Sequence, residues 1–291
     1  MDEAGSTGTQ PTAADRGFPA YHAARSGGLG DLDRRLVGCR ACPRLVAWRE
    51  EVAETKRAGF QGWEYWGRPV PGFGPHDAPL AVVGLAPAAH GANRTGRMFT
   101  GDASGDFLFA ALHAVGLASQ PTATTADDGL ALNGVRVTSP VHCAPPANKP
   151  TPEERDTCRP WLAAEIAFLN PRAIVVLGAF GWQTLLPVLA DAGWQLPRPR
   201  PRFAHGNVVT LRRAEPDAPR GGTAGRSEPG PGPAAHDELH VIGCYHPSQR
   251  NTFTGRLTSP MLRDLLRRAA GLAGLGGPSQ AHGARPDPPR P

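Results

Sequence analysis

PLAVVGLAPAAHGANRTGRMFTGD, residues 79–102, opens on an apolar run and ends on a carboxylate. Pro79-Leu80-Ala81-Val82-Val83 is a strand-like apolar run. The Gly- and Ala-rich segment after it begins like a phosphate loop. It lacks the Gly-Lys-Ser/Thr ending of a P-loop, and its third residue is the inert Ala86. Loops past strand ends are where open α/β sheets bind ligands. The stretch therefore sets a fold class and a chemical question: which group acts in a loop that offers only Ala86?

Three further runs read as strands: 135–141 (VRVTSPV), 173–178 (AIVVLG) and 239–243 (LHVIG). Helical patterns lie between them. In 104–116 the residues Phe107, Leu108, Ala111, Leu112 and Val115 form one stripe. Thr151-Pro152-Glu153-Glu154 has capping-box spacing with proline at the first helical position. Ser259-Pro260 starts a last helix, with Leu262, Leu265, Leu266 and Ala269 turned inward. Alternating strands and helices predict a parallel sheet covered by helices on both sides.

Of the 291 residues, 40% are hydrophobic and 20% charged, while Gly 36 and Pro 32 are high counts for one compact domain. The surplus is local. Residues 1–28, 213–236 and 275–291 carry Pro, Gly and charge with little to bury, and are expected to be a disordered tail, a low-complexity insert and a second tail. The domain is then 29–274. No apolar run approaches the roughly 18–20 residues of a membrane helix, and the acidic start MDEAGSTGTQ lacks the apolar core of a secretory signal. A cytoplasmic, nucleoid-associated location is expected. A net charge of +5 suits a nucleic-acid partner without demanding one.

Of five cysteines, Cys39 and Cys42 make a C-x2-C pair, Cys143 ends the second predicted strand, and Cys158 sits about one and a half turns into the next helix. The first four could close a site tying the N-terminal segment to the core. Zinc and an iron–sulfur cluster both accept four cysteines. The wide separation of the last two ligands leans toward a cluster, and plain burial of Cys143 and Cys158 stays open. Cys244 reads as a packed residue.

After the fourth strand comes CYHPSQRNTFTGRLT, residues 244–258. Together with 84–102, CAPPANKPTPEE (143–154), YWGRPVPGFG (65–74) and CRACPRL (39–45), it resembles the uracil-DNA glycosylase superfamily, family 5, the B-type enzymes with an iron–sulfur cluster. The resemblance spans about 38–272 apart from the insert. It implies a three-layer α/β/α fold on a four-stranded parallel sheet, a 4Fe–4S cluster on Cys39, Cys42, Cys143 and Cys158, and a monomer acting on uracil-containing or otherwise deaminated DNA. The flipped base is removed by hydrolysis of its N-glycosidic bond, leaving an abasic site.

The resemblance also suggests roles. Phe99 is the stacking platform for the base, or else a core Phe. His246 donates to the carbonyl oxygen where charge develops. Gly84 and Ala86 let backbone N–H groups approach. Relatives with Asp or Asn at the position of Ala86 use it to place water; here the nearest carboxylate is Asp102, either a base or a helix cap. Asn148 and Asn251 are polar contacts or turn residues. Arg94, Arg97, Lys149, Arg250 and Arg256 are candidate phosphate contacts, or solvated charges, and Gln249-Arg250 a candidate wedge. The competing readings are a metal-holding DNA-binding module without activity and a nucleotide-binding transferase. The missing P-loop Lys and acidic metal pair count against the second.

Overall fold

The computed structural model describes residues 10–213 and 236–276. Its sheet has the order β2-β1-β3-β6-β5-β4. The four expected strands are its parallel part: β1 (Leu80–Val83), β2 (Val135–Thr138), β3 (Ala173–Leu177) and β6 (Glu238–Cys244). The sheet is six-stranded rather than four-stranded. β4 (Trp194–Gln195) and β5 (Val208–Arg213) extend it antiparallel beyond β6. β5 buries alternate residues only, and β4 is two residues long, so neither leaves an apolar run in the sequence.

Alternation along the strands divides the core. Ala81, Val83, Ile174, Val176 and Val241 face one side, where α2 (Leu29–Val37), α6 (Pro152–Leu169) and α7 (Ala179–Asp191) pack. Leu80, Val82, Val135, Val137, Val175 and Ile242 face the other, under α5 (Ala103–Ala114) and α9 (Ser259–Leu272). The architecture is α/β/α. The Thr151 capping box forms as expected, its hydroxyl accepting from Glu154 N–H and the Glu154 carboxylate from Thr151 N–H. Among the described residues, no helix is long and apolar enough to cross a membrane.

Two boundaries differ from the sequence reading. Helix α1 (Phe18–Ala23) lies inside the segment expected to be a tail, and it buries Phe18 and Ala23 against α6. Its few apolar residues were too short a signal beside their polar neighbours. Cys143 lies five residues past the end of β2, because Ser139-Pro140 stops the ladder. The insert at 213–236 and the tail at 275–291 fall almost wholly outside the described residues. The remaining helices are α3 (Pro43–Thr55), α4 (Ala92–Thr95) and α8 (Gln249–Phe253).

A buried ion network fastens the N-terminal segment to the sheet. Arg136 of β2 donates to Glu165 of α6 at 2.6 Å and to both Asp33 oxygens of α2 at 3.0 and 2.9 Å. Gly72 passes so close that a Cβ there would lie 2.0 Å from Glu165 Oε1.

Candidate active site

Past the carboxyl ends of β1 and β6 the loops enclose a pocket of about 260 Å³. Ligand pockets commonly run ~300–1,000 Å³, so this one suits a group the size of a single ring system. Ala86, Pro87, Met98, Phe99, Asp102 and His246 line it, with Ser139, Asn148 and Ser248 among its polar groups.

Phe99 is held under constraint. Its backbone φ is 53°, in the left-handed region that aromatic residues avoid. Two glycines make this possible. A Cβ on Gly105, in the first turn of α5, would lie 1.7 Å from the Phe99 carbonyl oxygen, and a Cβ on Gly84 would lie 2.7 Å from the Phe99 ring. Gly84 therefore backs the Phe99 ring rather than lining the pocket. Gly84→Ala is compatible with its backbone but drives Cβ into the ring, so single-turnover turnover of substrate is expected to fall by up to about 10²-fold. An unchanged rate, with an unchanged melt, would show that the ring's position is immaterial.

His246 faces Phe99 with ring centroids 6.0 Å apart and planes inclined by 30°. Burial lowers its pKa to about 4, so the imidazole is neutral at physiological pH. A neutral ring keeps one N–H to donate. Asn251 fixes the turn behind it: its side-chain amide donates to the His246 carbonyl at 2.8 Å. Asn251 thus does not line the pocket, contrary to its expected contact with substrate.

Asp102 combines the two roles left open by the sequence. Its Oδ1 caps α5, accepting from Ser104 N–H at 2.9 Å and Gly105 N–H at 3.1 Å. Its Oδ2 makes no hydrogen bond among the described residues and points at Gly91, where a Cβ would lie 2.0 Å away. The residue lines both the pocket and an adjoining groove of about 520 Å³. Desolvation raises its pKa, against the lowering effect of the two backbone donors.

Arg57, Gln249 and Arg250 line that groove and are exposed, and Asn148 and Ser248 border both spaces. Lys149 is exposed beside Asn148, and Arg256 is exposed with its guanidinium 4.5 Å from the Tyr245 ring centre. Arg94 and Arg97 do not reach a surface. Arg94 is buried, donating to the His90 and Gly101 carbonyls, with its guanidinium against Phe60 and Trp63. Arg97 is buried in a two-pronged pair with Asp128 at 2.8 Å. Both brace the loop carrying Phe99. Arg94 turns inward to main-chain carbonyls and two aromatic rings and Arg97 to Asp128, so a place in the loop did not mean exposure.

Cys39, Cys42, Cys143 and Cys158 line one small cavity between α3, α6 and the 139–145 loop. Arg49, itself buried, donates to Cys143 Sγ at 2.8 Å. Burial pushes the thiols up, Cys42 to about 12 and Cys143 to about 11. Among the described residues no three His, Cys, Asp or Glu side chains converge closely enough to hold a single metal ion. Cys244 is buried, as expected of a packed residue.

Gly91, Gly105, Met98, Ser139, Ser248 and Arg57 were missed by the sequence reading. The small residues left a signal only in their spacing to Asp102 and Phe99, which becomes legible once those residues are placed.

A mostly parallel sheet covered by helices, with strand-end loops enclosing one small pocket, is an α/β fold of the ligand-binding class. The Uracil DNA glycosylase superfamily model matches residues 71–270, and the chain belongs to that superfamily. It is 51% identical over 252 residues to a type-5 uracil-DNA glycosylase of Mycobacterium tuberculosis, covering 86% of this chain and 84% of that protein. Type-5 uracil-DNA glycosylases of Thermus thermophilus and Pyrobaculum aerophilum are 46% and 44% identical, over 82% and 85% of this chain and 96% and 95% of theirs.

Proposed function

We propose that this chain excises uracil from DNA by hydrolysing its N-glycosidic bond. The observation that carries the reading is the pocket itself, closed by Phe99 on one side and neutral His246 on the other, with a carboxylate at its rim. A flipped base stacks on Phe99. As the bond to the sugar breaks, negative charge moves onto the base oxygens, and the His246 N–H donates to it from a dry site. The bond electrons leave with the base, and water adds to the sugar cation, its proton passing to Asp102 or to solvent. The chain's two lysines, Lys56 and Lys149, do not line the pocket, which favours water over an amine as the attacking group.

Ala86 offers no side-chain hydrogen bond to the base edge. Discrimination then rests on shape, so hypoxanthine and other deaminated bases are accepted beside uracil. The test is a set of duplexes carrying one uracil, hypoxanthine or thymine, followed by alkaline cleavage. Excision of uracil and hypoxanthine but not thymine is expected. Uracil alone would restrict the reading, and no cleavage of any would end it.

Two observations support a 4Fe–4S cluster on the four cysteines: all four line one cavity, and the buried Arg49 donates to Cys143 Sγ, where it would balance thiolate charge. Such a cluster moves no electrons in a hydrolysis; it would tie α3 to the loop carrying Asn148. Protein prepared anaerobically is expected to contain about four iron and four sulfide per chain. Zinc without iron or sulfide would overturn this assignment.

A further inference from the structure

LPRPRPRFAHGN, residues 196–207, carries Arg198, Arg200 and Arg202 alternating with prolines, and no part of the site described above uses it. All three arginines are exposed. Among the described residues none of them makes an ion pair, whereas Arg155, Arg159, Arg212 and Arg267 are each paired to a carboxylate. The chain has no Asp or Glu from 192 to 213 or from 239 to 263. This is a concentration of uncompensated positive charge, held on a segment whose prolines fix φ at three positions and leave little backbone entropy to lose.

The fold sets this segment beside the pocket. β5 runs antiparallel to β6, so the chain entering β5 lies at the same sheet end as His246. Gly206 N–H donates to the Gly243 carbonyl at 2.7 Å, and a Cβ on Gly243 would lie 2.3 Å from the Ala204 carbonyl oxygen. His205 stacks on Tyr245 with centroids 4.9 Å apart, and Arg256 covers the same ring. The Trp182 indole donates to the Pro201 carbonyl at 2.9 Å. Trp182 is four residues along from Gly178, whose Cβ position would touch the His246 Cβ at 3.5 Å. Four helical residues rise about 6 Å, which sets the scale of the offset from the catalytic pocket. Between α7 and the segment opens a cleft of about 330 Å³ lined by Gln183, Arg200 and Arg202 with Trp182 as its floor.

We propose that Arg198, Arg200 and Arg202 form a second DNA contact, a rail gripping the sugar–phosphate backbone beside the flipped nucleotide. The proposal rests on the reading of the substrate as DNA. A duplex strand that leaves the pocket mouth past Tyr245 and Arg256 reaches the rail through His205, which stacks on the same Tyr245 ring. The contact is to phosphates, so it carries affinity and register without base specificity. Each neutralised phosphate contributes about 0.9 to the slope of log affinity against log salt.

The test is equilibrium binding of a labelled, undamaged 30-base-pair duplex across a salt series. It compares the wild type, the triple variant R198Q/R200Q/R202Q, and R25Q/R34Q/R267Q, which removes equal charge from α2, α9 and the end of α1. The rail variant is expected to lose about two to three units of salt slope and roughly tenfold or more in affinity near 0.1 M salt. The control variant should lose much less. A rail variant that binds like the wild type, or no worse than the control, overturns the proposal. A wild type that binds DNA with the rail effect but excises nothing would instead sink the functional reading and leave the rail standing.

Discussion

His246→Ala is expected to slow single-turnover excision of uracil about 10²–10³-fold, the usual cost of removing one donor to a developing anion. The effect should fall on the rate at saturating enzyme, because the donor matters most when charge reaches the base. Protonation makes the same point independently. Burial lowers the His246 pKa to about 4, so the ring is neutral across the ordinary range and cannot titrate near 6.5. The wild-type rate should therefore be level from about pH 6 to 8, with no inflection where an exposed histidine would show one. It should fall toward acid as Asp102 and His246 take up protons, desolvation having raised the pKa of the first and lowered that of the second. A wild-type profile centred near 6.5, or an Ala variant at full rate with an unchanged melt, would remove His246 from the chemistry.

Asp102→Asn is expected to slow excision by up to about 10²-fold, by unequal factors on uracil and hypoxanthine. The substitution separates the two jobs of the carboxylate. Asn caps a helix about as well as Asp, and the amide oxygen can still accept from Ser104 and Gly105, so the melt should hold. What is lost is a proton acceptor at the position of Oδ2, beside the Cα of Gly91 and open to the groove. Uracil leaves as a stabilised anion, so its departure depends less on placed water. A purine-like base is the poorer leaving group and should suffer more. Equal, wild-type rates on both bases would reduce Asp102 to a cap.

The parallel sheet was legible because its strands are buried on both faces and read as apolar runs; β5, half-exposed at an edge, and the two-residue β4 left no such trace. The pocket residues Phe99, Asp102, Asn148 and His246 were legible from motifs because each follows a strand end. The errors share a cause. Arg94, Arg97 and Asn251 stand within those same motifs, yet their side chains turn inward to brace the loops. Only their partners distinguish them from Lys149 or Arg250: Asp128 for Arg97, backbone carbonyls for Arg94 and Asn251. Those partners are distant in sequence or belong to the main chain, where residue type gives no sign. Helix α1 was lost for a related reason, since Phe18 and Ala23 bury themselves against α6, more than a hundred residues away. Phe253 was passed over as well: it is 82% exposed, the one large apolar side chain so displayed among the described residues, on the short helix that follows His246.

The most direct measurement is the product formed from a duplex carrying a single uracil under single-turnover conditions, with free base and strand integrity followed together. Hydrolysis at this pocket predicts one free uracil per duplex, and a strand that stays intact until alkali breaks it at the abasic site. Phe99→Ala, lacking the stacking platform, should release uracil far more slowly at an unchanged melting temperature. No release of uracil by the wild type, strand breakage without alkali, or a Phe99→Ala variant as fast as the wild type would contradict the account.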